Sequence, residues 1–531
     1  MPAHRARART ALLMTAAAAL VLSACAQTVP GHGNHASGAP SSSATASPAP
    51  SSSTSASGPT QQPVTFSDCS NILNVALIPV PSALTGKITF GCARLTVPLD
   101  YAQPTGKTIT LELVKVHDSD NHGGLGSLLV NPGGPGGSGV ELALGLVGQI
   151  PAVVLTHFDL IGFDPRGVGL SSPVSCISNA EKDRLDAASP DVLTPAGFQQ
   201  AKVEASSVAQ GCSAKYGPAL ADINTVNTAK DMDLIRQAVG DQQMNYLGFS
   251  YGTELGSVYA HLFPDKIRVA VLDGAVDPLT GDIASFADQL RGFEGAFDQF
   301  AADCVTHSPC SALRDPRKTV YAIVTKADAA PLATGQSRRL TSSLALTGVL
   351  QALYSRSDWP TLAGALIAAA KGDGKGLLAL ADQYNQRLPN GTYTNIMDAN
   401  TTISCNDSKP GPSDPTIHAT AAAWVKQFPM FGRWAAISLF SCQQWQPVRT
   451  PPPLPTAPTP TKALVIGNLH DPATPYQGAK DLAKTMGNAE LLSWDGEGHT
   501  SYLQGSSCVD NYVDAYLVDQ KLPPVNLTCP R

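Results

Sequence analysis

Three stretches of this chain are apolar at every position rather than at every second one: Leu128-Leu129-Val130, Val269-Ala270-Val271-Leu272 and Ala463-Leu464-Val465-Ile466. Successive side chains on a strand point to opposite faces, so a strand with one wet face alternates in polarity. Unbroken apolar runs need cover on both faces, the condition of interior strands in a mostly parallel sheet whose crossovers are helices. Seven segments read as strands: 108–116, 127–130, 158–163, 244–249, 268–273, 462–467 and 490–494. Amphipathic segments stand between them, with helices expected over about 228–239 and 253–262, the second stopped near Pro264. The pattern restricts the chain to the α/β class.

Between residues 278 and 455 the strand signals fade, and helical patterns take over at 283–304, 341–354 and 359–370. A Pro-rich linker at 447–460 closes this region, and strand-like sequence resumes at Lys462. The expected organisation is a core over 64–277, a large, mainly helical cap inserted over 278–455, and the rest of the core over 456–531. The 36 Lys+Arg against 42 Asp+Glu leave a net charge of −6. No basic cluster follows the first ten residues, so the face that displaces counterions from nucleic acid is missing.

The amino terminus reads as an address and an anchor. Arg5, Arg7 and Arg9 precede an apolar run from Ala11 to Leu22, shorter than the roughly 20 residues that span a bilayer. The run ends Leu22-Ser23-Ala24-Cys25, which resembles a bacterial lipobox. Residues 1–24 are therefore expected to be a lipoprotein signal peptide, with Cys25 lipidated and holding the protein to the cell membrane. The alternative is an ordinary secretory peptide with Cys25 unmodified. Residues 25–63, rich in Ser, Pro and Ala, cannot bury enough apolar surface to offset ordering and are expected to be a disordered tether. The folded part is then extracytoplasmic. Of eleven cysteines, setting Cys25 aside leaves ten, an even number suited to an oxidising compartment. Pairing neighbours along the chain is the simplest arrangement: Cys69–Cys92, Cys176–Cys212, Cys304–Cys310, Cys405–Cys442 and Cys508–Cys529. No Cys-x-x-Cys spacing occurs, and neither a metal nor a cofactor is expected.

The strongest chemical signal is Gly248-Phe249-Ser250-Tyr251-Gly252, set between a strand and a helix. A nucleophile on such a turn takes strained backbone angles and projects above the carboxyl end of the sheet. Its neighbours must be small because strand and helix backbones approach closely there. A serine hydroxyl also needs a base. Downstream histidines are His261, His307, His418, His470 and His499; His261 lies in the helix after the serine, and His307 and His418 in the inserted region. His499 ends Asp495-Gly496-Glu497-Gly498-His499 just after the last strand-like run, where a base can reach a hydroxyl above the sheet. For the acid, Asp471 follows strand 462–467 through Asn468-Leu469-His470, while Asp273 and Asp277 remain alternatives and Asp495 suits a turn.

After strand 127–130 comes Asn131-Pro132-Gly133-Gly134-Pro135-Gly136-Gly137-Ser138-Gly139. It lacks the Gly-Lys-Ser/Thr ending of a phosphate loop. It reads better as an oxyanion loop in which the N–H of Gly134 joins that of Tyr251. Asp164 and Arg166, in the turn after strand 158–163, are expected to form a structural charge pair.

Together with Asp-Pro-Arg-Gly at 164–167, Asp-Pro-Ala-Thr-Pro at 471–475, Gly-His-Thr-Ser at 498–501 and Ile403-Ser404-Cys405-Asn406-Asp407, these motifs resemble the secreted tripeptidyl aminopeptidases of actinobacteria. Those enzymes are α/β-hydrolase serine peptidases related to the proline iminopeptidases, and the resemblance covers roughly residues 65–531. It implies a triad of Ser250, Asp471 and His499, and release of short peptides from substrates with a free N-terminus. Cell-envelope members of the group in mycobacteria are lipoproteins, in keeping with Cys25. Holding a substrate ammonium calls for a paired anion, for which Glu294, Asp298 and Asp407 in the inserted region are candidates. The Trp-Glu pair of a proline iminopeptidase cap is missing, since Gly432-Arg433-Trp434 is followed by Ala435. A carboxylesterase or lipase could use the same triad, and a surface lipoprotein that only binds is a third reading.

Overall fold

The computed structural model describes residues 63–70, 80–122, 124–306 and 310–531. The leader, Cys25, nearly all of the tether and His307 lie outside them. Among the described residues no helix is long and apolar enough to cross a membrane.

A ten-stranded sheet organises the chain: β1 Ser67–Asp68, β2 Ile88–Pro98, β3 Thr108–Asp118, β4 Ser127–Asn131, β5 Asp159–Phe163, β6 Met244–Phe249, β7 Ile267–Asp273, β8 Ala463–His470, β9 Ala489–Glu497 and β10 Thr528–Cys529. The spatial order is β1-β2-β3-β5-β4-β6-β7-β8-β9-β10. The first three strands and the β3–β5 contact are antiparallel, and from β5 onward every neighbour is parallel. This is an α/β-hydrolase fold. The unbroken apolar runs have the cover they require. On β8, Ala463 and Val465 pack into one core cluster while Leu464 and Ile466 pack into another on the opposite face. On β7, Ala270 and Leu272 divide from Val269 and Val271 in the same way. A fully buried side chain of this size contributes about 1.5–3 kcal/mol, so register in these strands is tied to burial.

The strands missing from the sequence reading are β1, β2 and β10. β2 alternates buried and intermediate or exposed positions along Ile88–Pro98, and a search for continuous apolar runs passes over it. β1 and β10 have two residues each; Cys69–Cys92 ties the end of β1 to β2, and Cys508–Cys529 ties β10 to helix Ser507–Asp519. Cys176–Cys212, Cys304–Cys310 and Cys405–Cys442 are the remaining bridges. Bridges closing loops of this order each contribute about 2–4 kcal/mol.

Between β7 and β8 the elements are helical, including Asp282–Thr306, Pro316–Ala329, Ser342–Leu353, Trp359–Ala370, Lys375–Tyr384, Ile396–Asp407 and Asp414–Gln427. Most of these share a third hydrophobic cluster. Its membership does not follow the chain: Val192, Phe198 and Ala201, which precede the nucleophile, belong to it. Conversely, Ala399, Ile403 and Cys405 of helix Ile396–Asp407 pack with the core under the sheet. The inserted region is thus keyed into the core rather than set on top of it.

Candidate active site

Ser250 is the residue at which β6 turns into helix Tyr251–Leu262, with φ 55° and ψ −126°. A non-glycine residue in this region costs on the order of 1–3 kcal/mol and persists where the surroundings over-determine it. Its N–H donates to the Asp273 carbonyl at 2.9 Å, and its own carbonyl accepts from Thr253 N–H at 2.8 Å and Thr253 Oγ1 at 2.6 Å. The flanking glycines are required by close approach: a Cβ on Gly248 would stand 2.5 Å from the Gly252 carbonyl oxygen, and one on Gly252 would stand 2.9 Å from that of Asn131.

Asp471 follows directly on β8, which runs to His470 rather than stopping at 467, with an irregularity between Asn468 and His470. Likewise β9 extends to Glu497, so little loop remains between strand and imidazole. Positive φ at Gly498 and Thr500 brackets His499 and turns it inward. Its Nδ1 lies 2.9 and 3.0 Å from the two Asp471 oxygens, and the carboxylate is fully buried. Burial alone would lower the imidazole pKa. The charge of Asp471 and its hydrogen bond outweigh that, with a further push from Asp273, and hold it above the ordinary value. Ser250 and His499 border the same corner: Ser250 N–H donates to the Asp273 carbonyl, and a Cβ on the next residue, Gly274, would lie 3.3 Å from His499 Cε1.

The glycine loop sits on the nucleophile. A Cβ on Gly133 would stand 2.4 Å from the Phe249 carbonyl oxygen and 2.8 Å from Tyr251 N. Asn131 Oδ1 holds Gly133 N–H at 2.9 Å, and Asn400 Nδ2 reaches back to the Pro135 carbonyl at 3.0 Å. It is Gly133, the residue before the expected Gly134, that lies beside the amide of Tyr251; a Cβ on Gly134 would instead meet the amide nitrogens of Gly136 and Gly137.

The other sequence candidates lie elsewhere. His261 Nδ1 accepts from Ala457 N–H at 3.1 Å, His418 stacks on Phe198, and His470 faces Asp495 at 3.2 Å. Asp277 Oδ1 accepts the Leu279 N–H. Asp164 and Arg166 do not pair with each other, contrary to the sequence reading. They leave the turn in opposite directions: Asp164 accepts from Ser138 Oγ at 2.5 Å and Leu170 N–H at 2.8 Å, while Arg166 forms a two-pronged pair with Asp231 at 2.7 Å on each prong.

Of the proposed ammonium holders, Glu294 accepts the Met430 N–H at 2.6 Å and pairs with Arg317 at 3.0 Å. Asp298 pairs with the same arginine at 2.6 Å on an exposed face. Asp407 takes Thr225 Oγ1 at 2.6 Å at the start of helix Thr225–Ala238. Burial, with the Glu254 charge adding, pushes its carboxyl well up against the hydrogen bonds from Thr225.

Two neighbours of the base escaped the sequence reading. Thr474 Oγ1 lies 3.1 Å from Asp471 Oδ2 and 3.3 Å from His499 Nδ1; its place three residues after the acid was the available signal. Tyr354 accepts the His499 N–H on its carbonyl at 2.7 Å and sets its ring edge-on to the imidazole, centroids 5.6 Å apart. Nothing local in the sequence marks it. Among the described residues no cluster of His, Cys, Asp or Glu is placed to hold a metal ion.

Residues 428–529, which carry both Asp471 and His499, match the family described as TAP-like protein. Serine protease Hip1 of Mycobacterium tuberculosis is 38% identical over 454 residues, 82% of this chain and 87% of that protein. Carboxylesterase B of the same organism is 39% identical over 453 residues, 83% of this chain and 86% of that protein. Tripeptidyl aminopeptidase of Streptomyces lividans is 31% identical over 448 residues, covering 82% and 83%.

Proposed function

We propose, for a chain that belongs to the TAP-like family of α/β-hydrolases and is a serine hydrolase, that it is an extracytoplasmic exopeptidase releasing short peptides, tripeptides foremost, from free N-termini. The observation that carries this is the Asp471–His499 pair set across the Asp273–Gly274 corner from a strained Ser250. His499 Nε2 takes the proton of Ser250 Oγ as it attacks the carbonyl carbon. Asp471 fixes the tautomer through Nδ1–H and stabilises the imidazolium. The N–H groups of Gly134 and Tyr251 receive the oxyanion. His499 then protonates the leaving amine, and water hydrolyses the acyl-enzyme.

For the substrate ammonium, Glu294 is a candidate whose helix, Asp282–Thr306, reaches the surroundings of the base. Its neighbour Phe293 packs on Tyr354, which in turn meets His499. Glu294 and Asp298 share Arg317, so two negative charges face one positive. Five disulfides among the described residues suit an oxidising compartment, and lipidation at Cys25 would hold the enzyme to the membrane there.

The relative named carboxylesterase B keeps an esterase reading in play. One comparison separates the two: a tripeptide anilide with a free amine against its N-acetylated twin. The free-amine substrate is expected to be cleaved at least tenfold faster, with an intact tripeptide released. Equal rates on both would leave a serine hydrolase without aminopeptidase character.

A further inference from the structure

The reaction above makes no use of Asp273, yet this buried residue touches both halves of the catalytic centre. Its carbonyl accepts the N–H of Ser250 at 2.9 Å. Its Oδ2 accepts the N–H groups of Ser501 at 3.0 Å and Tyr502 at 2.8 Å, just beyond His499. Its Oδ1 is buried with no hydrogen-bond partner among the described residues. An unsatisfied buried oxygen costs about 1–3 kcal/mol, and here it belongs to a carboxylate close enough to Asp471 for their charges to oppose. A purely structural anchor for two N–H groups needs neither a charge nor a second oxygen.

Resting on the serine-hydrolase reading of Ser250, Asp471 and His499, we propose that Asp273 is a second positioning acid. Its carbonyl seats the nucleophile, its carboxylate seats the segment that carries the base, and its negative charge supports the imidazolium formed during acyl transfer. No bond to substrate is involved; Asp273 acts through His499. Burial pushes the Asp273 carboxyl up to about 6, opposed by the two backbone hydrogen bonds, with Asp471 raising it further and His499 lowering it. Above that pH the charge is present. The groups acting electrically on the imidazole are Asp471 and Asp273. Thr474 contributes a neutral hydroxyl, and Tyr354, whose phenol burial pushes far up, stays neutral.

Asp273→Asn separates the two functions of the side chain. The amide oxygen can replace Oδ2, which already accepts both N–H groups, so the segment keeps its seat while the charge is lost. Asp273→Ala loses both. The readout is the rate at which a fluorophosphonate labels Ser250 across pH, beside the Tm of each protein. Removing a negative charge lowers the imidazole pKa, and the base works when neutral. The acid limb of the D273N profile should therefore move to lower pH by about half a unit or more, with the plateau about tenfold down. D273A should fall further at every pH. An acid limb that does not move in D273N, with D273A losing only Tm, would overturn the inference. If D273N does not fold, Asp273→Ser keeps an acceptor without charge and gives the same comparison. Failure of the unaltered protein to label at Ser250 would instead sink the serine-hydrolase reading itself.

Discussion

The carboxylate of Asp471 is held by more than the imidazole it faces. It accepts Ala473 N–H at 2.9 Å, Thr474 N–H at 2.8 Å, Thr474 Oγ1 at 3.1 Å and Thr500 N–H at 3.0 Å. Both oxygens are thus occupied by backbone N–H donors, two on Oδ1 and one on Oδ2, and an amide N–H₂ on either side would face one of them. Asp471→Asn sets an amide against one of these N–H donors and loses the preference for the Nδ1–H tautomer of His499. Turnover should fall by about 10⁴-fold, the scale found when a triad aspartate is amidated, with a measurable drop in Tm. Steady-state rates on any labile ester, read beside a melting curve, check both. At this scale the sequence was informative about residue type and local chain shape. The glycines around Ser250 announced the close approach that the structure contains, because strand–turn–helix geometry depends on residues a few positions apart. The partners of Asp164 and Arg166 were not readable, since adjacency in sequence says nothing of which way two side chains leave a turn.

Among elements, the turn after β5 shows how a helix is fastened to the sheet. Arg166 is fully buried, as is Asp231 on helix Thr225–Ala238. The guanidinium also donates to the carbonyls of Pro98, Leu99 and Asp222. One side chain therefore joins the end of β2, the turn after β5 and the segment entering the helix. Truncation to Arg166→Ala would strand a buried Asp231 carboxylate, a loss of about 3–5 kcal/mol. A shift of the urea midpoint to lower concentration, with the slope of the transition unchanged, is the expected result. The elements themselves were largely legible: helix Trp359–Ala370 falls where its pattern placed it, and β6 spans Met244–Phe249 as read. β2 was not, because its half-exposed alternation resembles a polar surface segment until Thr108–Asp118 pairs beside it.

At the scale of the whole molecule, distant segments are pressed together at a cost in charge. Glu254 on the nucleophile helix lies close enough to Asp282, at the start of Asp282–Thr306, and to Asp407, at the end of Ile396–Asp407, for its charge to oppose each of them. Burial pushes the Glu254 carboxyl up to about 7, with Asp282 adding to the rise. A carboxyl raised in the folded state binds its proton more tightly there than when unfolded. Its contribution to stability is complete below about pH 4, the unfolded value, and is lost as pH rises through 7. Glu254→Gln cannot titrate, so its Tm should exceed that of the unaltered protein by a margin that widens from about pH 4 to 7 and then levels. Melting curves over that range decide it; a margin independent of pH would show that the Glu254 carboxyl titrates alike in the folded and the unfolded chain. What the sequence by itself determined is what neighbours along the chain control: which runs are buried on both faces, where a strand breaks into a helix around Ser250, and that the cysteines suffice for pairing. Only the tertiary structure decided which of several histidines faces which carboxylate, that Tyr354 and Thr474 close around the base, and that Asp273 ties nucleophile and base together. Those contacts join different elements, in the case of Asp273 with Ser501 and Tyr502 more than 200 positions apart, and their geometry follows from how sheet and helices pack.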